Sequence, residues 1–379
     1  MRKRLRLSLA ASMALGFAPS AYGFSTIPWR GVPARIPNST QIKIEVDDQY
    51  GSYFADGGCD RAGTCKTPFT AIKNAIHEWE AVPSLELKFS SIVSKTISNT
   101  VTFDGKNQVK IIHSGWSSQP GNPPASALAV TISTYRDPQD IVDFDIIINS
   151  DNQRWADVND SSEYGFHDIQ SVATHEIGHG LGLDHSSINA REGIEELRDA
   201  TMFFAAGVGE THQRSLGQDD IHGITHLYTT QNFSKPRLSE IIPERLDAST
   251  QSRNIIEIHG QGFLPTTAVY ILQNQSANDV VGRILNVESD KIEVAFDLSY
   301  LPTGTYSILV ANAYDKFEKM EDVLEIFNPN GITLGNPEYL SVSQKGCQST
   351  GSGSTAPMIL FVTGFFIFFY RRKFVILYS

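Results

Sequence analysis

The chain is short of cysteine, of basic charge and of long apolar runs. Only 3 of its 379 residues are cysteines. They allow one disulfide at most, which excludes a small scaffold built on disulfides. Cys59 and Cys65 lie close together, and Cys347 stands alone near the end. Basic residues are outnumbered, 31 Lys and Arg against 42 Asp and Glu, for a net charge of −11. With no basic stripe, nucleic acid is excluded as a partner. No apolar run reaches the roughly 20 residues of a membrane-spanning helix.

What is present fits an exported, globular chain. Hydrophobic residues make up 41%, ordinary for a packed core. The length suggests two domains plus extras. Residues 1–23 read as a signal peptide. Arg2, Lys3, Arg4 and Arg6 form a basic start, Leu7 to Phe17 is apolar, and Ala21-Tyr22-Gly23 offers small residues for cleavage. Export makes a Cys59–Cys65 disulfide the expectation, with two free thiols as its alternative.

The chemistry is concentrated in Thr174-His175-Glu176-Ile177-Gly178-His179-Gly180-Leu181-Gly182-Leu183-Asp184-His185. His175 and His179 are four apart, so on a helix they share one face and can hold one zinc ion. Glu176 projects beside the metal, where it can take a proton from water. Gly182 can adopt positive φ, letting the chain turn so that His185 returns as a third ligand. Three neutral imidazoles leave one zinc position open, the pattern of a catalytic rather than a structural site. A bare HExxH arises by chance in roughly one chain in a hundred of this size, and Gly182 with His185 lowers that by about three orders of magnitude.

This stretch resembles the metzincin zinc peptidases, with Ala200-Thr201-Met202-Phe203-Phe204 as the methionine turn. Ser186 after the third histidine, Leu216 to Ile224 as a closing helix, and Phe204 rather than tyrosine resemble the matrixin branch, which includes the matrix metalloproteinases. The resemblance implies an α+β catalytic domain over residues 24–232: a twisted, mostly parallel sheet, an active-site helix and a closing helix. It implies that Met202 forms the floor beneath the zinc, and that Asp219 and Asp220 brace that turn or a helix N-terminus. It further implies that substrate adds as a strand along the exposed edge at Ala127, Leu128 and Ala129. Phe203 and Phe204 would line the pocket for the side chain past the scissile bond. There is no cysteine for a propeptide switch, and no histidine set for a second zinc. Ca2+ is a further candidate cofactor: Asp137, Asp140, Asp143 and Asp145 could supply its oxygens, or could be solvated loop carboxylates.

Read in order, the domain shows strands at Gln41–Val46, Leu85–Phe89, Val109–His113, Ala127–Thr134 and Ile141–Asn149. Helices are expected at Pro68–Glu80, with Ala71, Ile72, Ala75, Ile76 and Trp79 on one face, and at Asp168–Gly180. His167 is expected near the cap of that second helix. His222 and His226 are expected to be surface or packing residues. Beyond Pro236 the texture becomes all-β, and His259-Gly260-Gln261-Gly262-Phe263 with Leu301 to Asn312 resembles the immunoglobulin-like IPT/TIG modules. A small sandwich over residues 236–327 is expected, as a spacer or binding module.

Residues 328–355 have a linker composition and 356–379 read as a membrane tail. The apolar stretch Ala356–Tyr370 spans only about 22 Å as a helix against a ~30 Å hydrocarbon core, and Arg371-Arg372-Lys373 follows it. Gly346-Cys347 before it resembles the sorting tails of bacterial surface proteins, and a plain permanent anchor is the alternative. The expectation is a zinc endopeptidase acting on protein or peptide substrates at the cell surface or outside it. The competing readings are a non-enzymatic surface protein binding through the IPT/TIG-like module, and a processing peptidase with one partner substrate.

Overall fold

In the computed structural model, residues 24–29, 32–49, 68–98, 100–101, 104–136, 139–158, 165–249, 254–272, 279–299 and 301–329 are described, with the backbone of 373–378. The residues of the signal-peptide and disulfide expectations, residues 330–355 of the linker expectation, and Ala356–Tyr370 lie outside them. Among the described residues, no helix is long and apolar enough to cross a membrane.

The first half is built on strands β1 (Ile42–Asp47), β2 (Phe89–Lys95), β3 (Asn107–Ile112), β4 (Ala129–Tyr135) and β5 (Ile141–Asn149). Helix α1 (Pro68–Glu80) follows β1, and helices α2 (Ile169–Gly180) and α3 (Gln218–Tyr228) follow β5. β1, β2, β3 and β5 pair in parallel, and β4 runs antiparallel to β5. β4 and β5 are buried on both faces, polar residues such as Thr131, Asp143 and Asp145 included. One face packs on α1 and α2, and the other carries a smaller cluster of Ile112, Trp116, Val130, Ile132 and Ile147.

α1 forms where expected, burying Ala71, Ile72, Ala75, Ile76 and Trp79 against the core. α2 is buried along its whole length despite two glycines, each worth about 1 kcal/mol of lost helix propensity. Packing accounts for both. A Cβ on Gly178 would collide with Met202 Sδ and lie 2.8 Å from Trp79, and one on Gly180 would lie 2.7 Å from the Phe144 ring.

Three expectations need correction. The strand read at Leu85–Phe89 is β2, which begins only at Phe89. Leu85 instead bridges Thr229, and the Glu86 N–H goes to the Tyr228 carbonyl at 2.7 Å. Asp143 and Asp145 are not solvated loop carboxylates but buried β5 residues. Asp143 accepts from Gly105 N–H at 2.7 Å, and Asp145 pairs with the fully buried Lys110 at 3.1 Å. Finally, β4 is not the edge of its sheet. A strand at Lys373–Tyr378 pairs antiparallel with it, in a register ending at Tyr378 opposite Val130.

The second half is all-β. A four-stranded sheet has the order Arg237–Ile242, Asn254–Gln261, Lys291–Phe296, Arg283–Val287. A five-stranded sheet includes Ala268–Leu272, Gly304–Ala313 and Lys316–Phe327. Ile256, Ile258, Ile292 and Val294 from the first meet Val269, Ile271, Ile308, Val310 and Leu324 from the second in one core.

Phe24, Ser25 and Thr26 join the halves. Ser25 and Thr26 pair with Asp184 and Leu183, while Phe24 packs with Tyr270 and Leu309. The Thr26 hydroxyl meets the Tyr270 hydroxyl at 2.9 Å. His226, fully buried, donates from Nδ1 to the Thr266 carbonyl at 2.9 Å, so it is a packing residue of this seam.

Candidate metal centre

α2 starts on Asp168, whose carboxylate accepts the Ser171 N–H at 2.8 Å, the arrangement of an N-cap. The same carboxylate holds the Arg214 guanidinium, which also reaches Asp157 at 2.6 Å. His167, expected at the cap, is buried beside Trp155 one residue earlier. The helix turns off at Gly182, where φ is +104° and the Ala34 carbonyl occupies the place of a Cβ. That turn brings His185 back to the helix.

His175, His179 and His185 meet in a buried site. His175 Nε2 is 3.0 Å from His179 Nε2, which is 3.2 Å from His185 Nε2. His175 Nδ1 lies 2.7 Å from the Thr201 carbonyl, and His179 Nδ1 lies 2.9 Å from the Leu183 carbonyl. A carbonyl can only accept, so each of these Nδ1 atoms carries the proton and each Nε2 presents a lone pair. The close His175–His179 contact is therefore not a hydrogen bond. Its two lone pairs converge on one point, which a cation satisfies. Ligands at 2.0–2.1 Å around a tetrahedral zinc would stand roughly 3.3 Å apart, close to these separations. Burial, then the neighbouring His179, holds the His175 imidazole well below its usual range, so it is neutral and available. Among the described residues, these three form the group of His, Cys, Asp or Glu side chains placed to share one ion.

Glu176 is fully buried, and burial raises its carboxyl well above the usual range. Opposing that, the Thr131 hydroxyl on β4 lies 2.5 Å from Oε2 and 3.0 Å from the Glu176 carbonyl. The pairing spans 45 positions, and no sequence signal announces it.

Met202 is buried under α2, its backbone fixed by Asp220. The Asp220 carboxylate accepts N–H groups from Thr201 at 2.7 Å, Met202 at 2.9 Å and Gly217 at 2.8 Å. Burial pushes its pKa up to about 6 against those bonds. Asp219 is buried too. The turn thus orients a metal-facing group: its Thr201 carbonyl is the partner of His175.

The expected substrate residues Ala127, Leu128 and Ala129 are fully buried. Leu128 and Ala129 lie in the core, and Ala127 lies in the cluster on the other face of the sheet. The Phe203 and Phe204 rings meet edge to face at 5.0 Å, and Gln213 donates to the Phe203 carbonyl at 2.9 Å.

Residues 64–229 match the family described as Matrixin. A stretch of 61 residues is 49% identical to Metalloendoproteinase 5-MMP of Arabidopsis thaliana, covering 16% of this chain and 14% of that one. A stretch of 87 residues is 34% identical to human Matrilysin, covering 23% of this chain and 28% of that one. A third, of 101 residues, is 36% identical to Metalloendoproteinase 1-MMP of Arabidopsis thaliana, covering 27% of this chain and 22% of that one. The chain thus spans less than a third of each of these relatives' lengths. Within those limits, residues 64–229 are a matrixin domain.

Proposed function

We propose that this chain is an exported zinc endopeptidase that hydrolyses peptide bonds in protein substrates. The convergence of three Nε2 atoms beside a buried glutamate carries the reading. His175, His179 and His185 would hold the zinc. When bound, zinc supplies Lewis acidity to water and to the scissile carbonyl. Glu176 takes the proton of the attacking water and returns it to the departing amine nitrogen. Burial raises the Glu176 carboxyl above its usual range, which strengthens it as a base. Thr201 and Leu183, through their carbonyls, keep two imidazoles in the ligating tautomer. Phe203 and Phe204 would wall the pocket for the side chain past the scissile bond, and Ala127–Ala129, just short of the stretch that Lys373–Tyr378 covers, would pair with extended substrate.

The surrounding assignments belong to the same proposal. A signal peptide at 1–23 supports export, and a Cys59–Cys65 disulfide would follow from it. The two-sheet architecture of 236–327 supports an IPT/TIG-like module, and the composition of 356–379 supports a membrane or sorting tail. The test is hydrolysis of casein or gelatin by the purified protein, with and without a chelator, alongside metal analysis. Stoichiometric zinc with chelator-sensitive cleavage is expected. Zinc-loaded protein that cleaves neither these nor a peptide library would sink the reading.

A further inference from the structure

We propose that Thr131 is a positioning residue for Glu176, holding one carboxylate oxygen so that the other is left for the proton transfer. This rests on the endopeptidase reading and adds a residue from a different element. Glu176 sits on α2 beside two of the histidines, and Thr131 sits in the middle of β4. Both side chains are completely buried. The Thr131 hydroxyl reaches Oε2 at 2.5 Å, whereas Oε1, equally buried, has no protein partner. A buried carboxylate oxygen without a partner is costly unless something outside the chain uses it. The two oxygens therefore have different jobs: Oε2 is anchored and Oε1 is kept available.

The hydroxyl suits an anchor that must survive proton movement. It has one hydrogen and two lone pairs. While Oε2 is ionised, the hydroxyl donates to it. When Oε1 carries the proton, Oε2 becomes the carbonyl oxygen of the acid and still accepts the Thr131 hydrogen. The side chain stays bonded in both states without moving a heavy atom. Valine has the same branched shape but can do neither. Serine can do both.

Thr131 lies two residues beyond Ala127–Ala129, the segment along which substrate would add, so it would tie the orientation of the base to the stretch that orients the peptide. The two functions must therefore be separated in the assay. Thr131→Val and Thr131→Ser are prepared in the full chain and loaded with zinc. For Thr131→Val we expect kcat to fall about 10- to 100-fold, the scale of a misplaced catalytic group, with KM within about twofold. Thr131→Ser is expected to restore kcat to within about threefold of wild type. Zinc stoichiometry stays unchanged in both. Crystal structures of the zinc-free proteins supply a readout independent of activity. A single Glu176 carboxylate orientation on the hydroxyl is expected in wild type and serine variant, and a rotated or split one in the valine variant. If the valine variant does not fold, Thr131→Cys, close in size but a much weaker donor, replaces it with the same expectations.

A valine variant with wild-type kcat, a serine variant that fails to restore it, or a Glu176 carboxylate unmoved in the valine crystal overturns the assignment. A wild-type protein that cleaves nothing refutes the endopeptidase reading instead, and the crystallographic comparison still decides whether Thr131 sets the orientation of Glu176.

Discussion

Gly178 offers a contest between two opposing effects of known size. Replacing it with alanine relieves a helix-interior glycine, a gain of about 1 kcal/mol. The added methyl would land on Met202 Sδ and lie 2.8 Å from Trp79 Cζ2. The methionine side chain is flexible, but both residues are buried and neither backbone is free to retreat. Trp79 Nε1 donates to the Thr174 carbonyl at 2.9 Å, and Asp220 holds Met202 N–H at 2.9 Å. Overpacking costs about 1–3 kcal/mol, and with both neighbours buried and held this site falls at about 2–3, so the net expectation is a loss of about 1–2 kcal/mol. At roughly 2–4 °C per kcal/mol for a chain of this class, the melting temperature falls by several degrees. The damage reaches the metal as well. Pushing the Met202 turn away shifts the Thr201 carbonyl that orients His175, 2.7 Å from its Nδ1. Zinc affinity is expected to weaken by about tenfold, the lower end for a disturbed partner of a metal ligand. Differential scanning calorimetry and zinc titration with a competing chelator measure both. A Gly178→Ala variant that melts at or above wild type, with unchanged zinc affinity, would refute the packing argument and leave propensity as the ruling effect.

Four further outcomes are expected. Glu176→Gln abolishes hydrolysis while retaining zinc, and His179→Ala loses both, as read by peptide cleavage and metal analysis; more than a few per cent of wild-type activity in Glu176→Gln would contradict the assigned role. Lys110→Met strands the buried Asp145 and costs about 3–5 kcal/mol in urea unfolding, whereas Lys110→Met with Asp145→Leu recovers most of it. His226 is held down to about 4 by burial, so the unfolded chain takes a proton near 6.5 that the folded chain refuses. Stability therefore drops as pH falls from 6.5 to 4, by about 3 kcal/mol for this group at 1.36 kcal/mol per unit, and His226→Gln makes the measured slope shallower. Arg214→Ala removes the partner of Asp168 at the start of α2, and a lower melting temperature with unchanged zinc stoichiometry is expected.

The metal site was legible in the sequence because its rules are local. A four-residue spacing places two histidines on one helix face, and a glycine that can take positive φ returns the third. α1 was legible for the same reason, its buried positions following the helical period. Long-range pairings were not. Thr131 meets Glu176 across 45 positions, and nothing in either segment names the other. Asp143 and Asp145 read as loop acids because carboxylates seldom sit mid-strand, and only the fold brings Gly105 N–H and Lys110 to them. β2 was displaced because Leu85-Glu86-Leu87-Lys88-Phe89 alternates as a strand does. Its Glu86 and Lys88 N–H groups go instead to Tyr228 and Ser39, and the true strand is a largely exposed, serine-containing edge. The pairing of Lys373–Tyr378 with β4 likewise depends on a contact that no local pattern specifies.

The seam at Phe24 decides how the molecule can be dismantled. Phe24 contacts the all-β half through Tyr270 and Leu309, while its neighbours Ser25 and Thr26 are laced to Leu183 and Asp184, between the second and third histidines. His226 is clasped to Thr266 from the other side. The two halves are thus not exchangeable cassettes. Cutting the chain between Gln231 and Pro236 would leave them associated, because the N-terminal segment rather than the connecting peptide is the fastener. Expressing residues 24–232 alone would strip the cover from Phe24 and His226 and loosen the Leu183–Asp184 stretch on which His185 hangs. Size-exclusion chromatography after such a cut would show one species, and two separate ones would mean the seam is not the fastener.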